Sequence, residues 1–141
     1  MVLHTINSNQ LDYYLKLILI TENTMNPLIN KQCREYSKDE SPLNLTEIED
    51  NRRHTPEWQF CATENTLTQT FHFDNYHQTI EFVNKLAEVS HQQDHHAELI
   101  VTYNRCKVSF CTHSVGGITE NDFICAAKIC LLYTSPSPRD S

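Results

Sequence analysis

The hydrophobic period of this chain switches between two and about three and a half, and that narrows the folds open to it. Apolar and polar residues alternate from Trp58 to Cys61 and again from Leu67 to Phe73, as in strands with one buried face. From about Asn75 the apolar residues recur every three or four positions instead. Tyr76, Ile80, Val83, Leu86 and Ala87 are expected to form the buried face of a helix, with Gln78, Glu81, Asn84, Lys85 and Glu88 mostly wet. Alternation returns in residues 99–103 and 107–112, joined by a turn around Asn104 and Arg105.

Local signals punctuate these segments. A short helix is expected from Glu47 to Arg53, beginning near Thr46, with Pro56 just beyond it. Residues 62–66 fit a hairpin loop. Asp74 is placed to cap the long helix. Gly116 and Gly117 break the chain after the last strand. Thr119 with Asp122 resembles a capping box, with aspartate in place of the usual glutamate, ahead of a helix carrying Phe123, Ala126, Ala127 and Ile129. The order α-β-β-α-β-β-α predicts an α+β domain, a four-stranded, largely antiparallel sheet with helices on one face.

The domain is expected to span residues 25–129. Residues 1–24 precede a second methionine, Met25, and read as an upstream extension or a short extra helix. The string from Cys130 to Ser141, CLLYTSPSPRDS, resembles a translated sequencing adaptor and is set aside from the fold.

Composition excludes several functions. A formal charge of −7 and a single adjacent basic pair, Arg52 and Arg53, argue against nucleic-acid binding, which needs clustered Lys and Arg. The apolar run from Tyr13 to Ile20 is too short to span a bilayer, and its flanks are not those of a signal peptide. Six cysteines without a CxxC pair or regular spacing suggest neither a zinc ribbon nor a disulfide framework. Reduced thiols in a cytoplasmic protein are the expectation.

Histidine is the residue type in excess, eight in all, most of them between His72 and His113. His95 and His96 lie between the long helix and a strand, and His113 ends the next strand. Antiparallel pairing sets the start of one strand beside the end of the other, so three imidazoles can share one rim of the sheet. Such a cluster can give and take protons near neutral pH. Metal binding is the competing use. Against it, adjacent histidines in extended chain point to opposite faces, and no spaced motif such as HExxH is present. Spacing alone leaves open whether these histidines act or simply decorate the rim.

The stretch from His91 to Asp122 resembles the signature of the pterin-4a-carbinolamine dehydratase family. A polar residue, His91, opens it. The doublet His95-His96 follows, then an aromatic, Tyr103, then His113 after Thr112, then Asp122 at the last helix. The run from Gly116 to Lys128 is also similar. Trp58 and the strand from Leu67 to Phe73 match the family's first hairpin, and the chain around Cys33 is more weakly similar to bacterial members. Ala97 departs from the pattern, since the family usually has proline there, and His91 stands where many members carry glutamate.

The resemblance implies dehydration of a 4a-hydroxytetrahydropterin to the quinonoid dihydropterin. This reaction recycles the pterin used by aromatic amino-acid hydroxylases, and it uses histidine acid/base chemistry with no metal or other cofactor. It implies His95 and His113 in proton transfer and His96 in catalysis mainly through pterin binding. Asp122 and the backbone of Gly117 are further candidates for contact with the substrate, although Asp122 reads first as a helix cap. The implied partners are the pterin and a hydroxylase, with assembly as a homodimer or homotetramer and no role for nucleic acid or membrane. The alternative is a protein-interaction module that regulates a hydroxylase or a transcription factor.

Overall fold

The computed structural model describes residues 8–15 and 26–134. The proposed boundaries at residues 24 and 130 therefore fall partly outside the described residues. Helix α1 covers residues 8–15 and is exposed throughout. The elements that follow are α2 (Leu45–Arg52), β1 (Gln59–Cys61), β2 (Thr66–His72), α3 (Tyr76–Gln93), β3 (Glu98–Val101), β4 (Arg105–Phe110), a 3-10 turn (His113–Val115) and α4 (Glu120–Thr134). From α2 onward the order is the one the periodicity predicts.

The four strands form one antiparallel sheet in the order β1-β2-β4-β3. Register explains its two faces. Leu67 pairs with Phe110 and Phe71 with Cys106 across β2 and β4, and all four are buried. Thr70 pairs with Lys107 on the opposite, more polar face. Helices α3 and α4 cover the apolar face. Trp58 sits at the centre of that core at 0% exposure, its ring 5.9 Å from Phe71 and 5.8 Å from Phe110.

The helices start where side-chain caps dictate. Asn44 and Glu47 form a reciprocal capping box, each side chain 2.9 Å from the other's backbone nitrogen. This moves the start of α2 to Leu45, ahead of the expected Thr46. At α3 the cap is Asn75 rather than Asp74. Asn75 Oδ1 accepts from the Gln78 amide at 2.8 Å, while the Asp74 amide donates to Gln78 Oε1 at 3.1 Å. The buried stripe of α3 is also rotated from the expected one. It runs Thr79, Phe82, Leu86, Ser90, whereas Tyr76 and Ala87 are exposed. Phe82 sets this orientation, because its ring lies 4.8 Å from Phe71 and 5.1 Å from Phe73. Burying that large ring outweighs burying Ala87.

Helix α4 continues past Ile129. Cys130 Sγ accepts the Trp58 indole N–H at 3.1 Å. The Tyr133 ring lies 4.9 Å from that of Phe71, and its hydroxyl donates to the His72 carbonyl at 3.0 Å.

Candidate active site

Asp94 ends α3 in the left-handed conformation, at φ 50°, where most side chains are strained. The His95 amide then donates back to the Ser90 carbonyl at 3.1 Å. This tight reversal drops the chain toward β3 and turns the His95 ring inward while His96 stays exposed. The His95 ring stacks on Phe110 of β4, 5.7 Å between centroids and 7° from parallel. Its side chain is only 10% exposed.

The inner edge of that ring meets Asp122. His95 Nε2 donates to Asp122 Oδ1 at 2.7 Å. Asp122 is fully buried, and its other oxygen accepts from the Thr112 hydroxyl at 2.9 Å and the Thr119 amide at 2.8 Å. Thr119 Oγ1 in turn lies 2.7 Å from Thr112 Oγ1 and accepts from the Asn121 amide at 3.2 Å. One arm of the capping box read from Thr119 and Asp122 is therefore present, the aspartate accepting the Thr119 amide, while the Thr119 hydroxyl takes the Asn121 amide and the Asp122 amide donates to the Thr119 carbonyl. The same carboxylate holds the histidine. Accepting from Nε2–H leaves the His95 Nδ1 lone pair free to take a proton. Burial disfavours the imidazolium, but the Asp122 hydrogen bond and charge, helped by Cys33 and Asp94, outweigh it and hold the His95 pKa above its ordinary value.

His113 stands at the other side of the rim, on the first residue of the 3-10 turn. The turn is tied at both ends. The Thr112 amide donates to the Gly117 carbonyl at 2.8 Å, and the Gly116 amide donates to the Thr112 carbonyl at 3.1 Å. Gly116 adopts φ 68°, a conformation that suits glycine. The Cys111 thiol lies 3.6 Å from His113 Nδ1. Burial, with the charges of Asp122 and Glu98, pushes the Cys111 pKa up and keeps it a thiol donor.

His95, His96 and His113 line one cleft of about 750 Å³. The structure thus brings the three sequence-selected histidines together. Asp122 lies beneath the cleft as support to His95. Gly117 is not brought in. It is buried, its carbonyl is used by Thr112, and a Cβ there would meet Pro42 Cβ at 2.8 Å. His91 is exposed in the last turn of α3, away from the cleft lining. Tyr103 is also outside it, stacked on Tyr76 at 6.3 Å.

Sequence reading missed the far wall of the cleft, built by residues 33–40. Asn121 clamps it, accepting the Arg34 amide at 3.0 Å and donating to the Arg34 carbonyl at 2.7 Å. Gln93 accepts the Cys33 amide at 2.8 Å. Arg34 lies 3.7 Å over the Tyr36 ring and pairs with Glu40 at 2.9 Å. Among the described residues no group of three or more His, Cys, Asp or Glu side chains is placed to hold a metal ion. None of the described helices is long and apolar enough to cross a membrane.

A single four-stranded antiparallel sheet with helices on one face and three histidines around one cleft at its rim defines the class of α+β protein. A family model for pterin 4 alpha carbinolamine dehydratase matches residues 41–131, and the chain belongs to that family. It is 42% identical over 112 residues to a protein of Nitrosospira multiformis provisionally named a pterin-4-alpha-carbinolamine dehydratase, covering 79% of this chain and 97% of the relative. A Nitrosomonas eutropha protein of the same name is 43% identical over 109 residues, 77% of this chain and 95% of its own length. The crystal structure of a transcriptional coactivator/pterin dehydratase from Brucella melitensis superposes with a TM-score of 0.63 at 29% identity, covering 66% of this chain and 99% of that one.

Proposed function

We propose that this protein dehydrates a 4a-hydroxytetrahydropterin to the quinonoid dihydropterin and water. The observation that carries this reading is the 2.7 Å bond from His95 to Asp122 beneath a cleft that His96 and His113 share. Elimination of water needs one group to take a proton from a ring nitrogen and another to protonate the departing hydroxyl. Both electrons of the broken carbon–oxygen bond leave with the hydroxyl, and the nitrogen lone pair closes the new double bond.

His95 suits the base. Its Nε2–H is fixed on Asp122, so Nδ1 receives the proton and the carboxylate stabilises the resulting imidazolium. His113, on its tied turn, suits the acid, and exposed His96 suits binding of the pterin. This assignment needs no metal or further cofactor. Recycling of the product for an aromatic amino-acid hydroxylase and assembly as a homodimer or homotetramer belong to the same reading.

The test is the rate at which freshly generated 4a-hydroxytetrahydropterin loses water in the presence of the purified full chain. Wild type accelerates it, and His95→Ala and His113→Ala each lose roughly 100- to 10,000-fold, the range for a lost general acid or base. A folded wild-type protein without acceleration would refute the reading. The second reading, an interaction module, has its own support in strand β3. Ile100 and Val101 are exposed there on a sheet edge, at 54% and 37%. Partner binding retained when His95, His96 and His113 are all replaced by alanine would favour it.

A further inference from the structure

Two cysteines far apart in sequence meet at the base of the cleft. Cys33 Sγ, on the irregular wall, lies 3.6 Å from Cys125 Sγ of α4, across 92 residues of chain. Cys33 lines the cleft and is half-buried, so small molecules entering the cleft can reach it. Cys125 is fully buried and follows Asp122 by one helical turn. The Cys33 thiol also lies 3.6 Å from the Asn121 carbonyl. Of the other thiols, Cys111 also lines the cleft, beside His113, but burial pushes its pKa up. Cys106 is fully buried and Cys130 accepts from Trp58, and burial pushes each up to about 11.

We infer that Cys33 and Cys125 form a peroxide-responsive thiol pair, in which Cys33 is oxidised first and Cys125 resolves it to an intramolecular disulfide. Cys33 supplies the nucleophile. The hydrogen bond from Cys125 lowers its pKa against the opposing effect of burial, and His95 adds to the lowering. Its thiolate attacks hydrogen peroxide, an S–O bond forms as the O–O bond breaks, and the released hydroxide takes a proton to become water. Cys125 then attacks the sulfenic sulfur, loses its proton and expels the oxygen as a second water. In sum two thiols lose two electrons and two protons, and one peroxide becomes two waters.

The geometry gives the reaction a consequence in the cleft. Bridging needs the sulfurs to close from 3.6 Å to bonding distance, about 2 Å. Cys33 sits on a wall without regular secondary structure, held to α4 largely by the Asn121 clamp, so the wall is the element that moves. The bond pins the wall to α4 and removes the Cys33 thiol from beside His95.

The experiment treats the full chain with hydrogen peroxide, counts free thiols under denaturing conditions and maps linked peptides by mass spectrometry. Two of the six thiols are expected to disappear, in a Cys33–Cys125 linked peptide that dithiothreitol reverses. Cys33→Ser, at a half-buried position, is expected to fold and to form no disulfide from Cys125. Cys125→Ala checks the other partner, and there Cys33 is expected to stop at sulfenic acid or proceed to sulfinic acid. Wild-type protein that keeps six thiols overturns the inference, as does one that oxidises Cys33 only to sulfinic acid or links other cysteines. None of these readouts depends on pterin turnover, so their failure is distinct from failure of the dehydratase reading.

Discussion

His95 and Asp122 are joined through one short hydrogen bond, Nε2 to Oδ1 at 2.7 Å, and this bond links the last cap of the fold to the cleft. The carboxylate serves two tasks at once. It starts α4 by accepting the Thr119 amide, and it fixes which nitrogen of His95 faces outward.

Asp122→Asn separates those tasks. The amide can still fill the site, but it withdraws the charge that raises the His95 pKa. On the proposed reading His95 acts in its neutral form, so the acidic limb of the rate profile moves to lower pH. The rate on the plateau falls by about 100-fold, since a weaker and less well-oriented base remains. A profile of kcat/KM against pH for wild type and variant measures both effects. An unchanged limb would show that His95 is not the titrating base.

Stability should follow the same pair with a definite sign. The folded His95 pKa lies above the unfolded value of 6.5, so the folded state binds the extra proton. The contribution is therefore full below that value and is lost as pH rises through the folded pKa. Urea denaturation of wild type and His95→Gln between about pH 5 and pH 8, the usual histidine range, should show their difference shrinking as pH rises.

His96 and His113 should separate in kinetics. His96 is exposed and has no hydrogen bond from its side chain to the described residues, so His96→Ala changes stability by no more than about 0.5 kcal/mol. Loss of binding alone raises KM and spares kcat, whereas His113→Ala lowers kcat. Steady-state kinetics at fixed pH distinguishes the two patterns.

Gly117→Ala tests whether the backbone at this position serves packing. The new Cβ would lie 2.8 Å from Pro42 Cβ, which must shift to admit it. A loss of roughly 1–3 kcal/mol is expected, the usual cost of overpacking. Thermal and urea unfolding measure it, and KM measured on the folded fraction should stay near wild type.

Much of the architecture was legible because period and burial coincide. Leu67, Phe71 and Phe110 alternate with polar residues and face the core as expected. The long helix was misrotated because its apolar residues surround more than one face, and only the aromatic cluster around Phe82 selects among them. The histidines were legible as a group through their spacing and their family resemblance. Their ordering was not. That Asp122 supports His95 depends on a reversal at Asp94, and no short-range pattern specifies that reversal. The wall at residues 33–40 was beyond reach for the same reason. It is held by side chains from Gln93 and Asn121, about 60 and 87 residues away, so it leaves no periodic trace.

The turn that carries His113 has a consequence for motion. Thr112 is bonded to Gly117 and Gly116 across it, while its hydroxyl is held by Asp122, so the rim on this side is laced to the buried end of α4. Amides of Thr112 and Gly116 should exchange with deuterium slowly, in step with the core strands. On the dehydratase reading, this side of the rim is set in place before a pterin enters, and turnover has no need to wait for this turn to close.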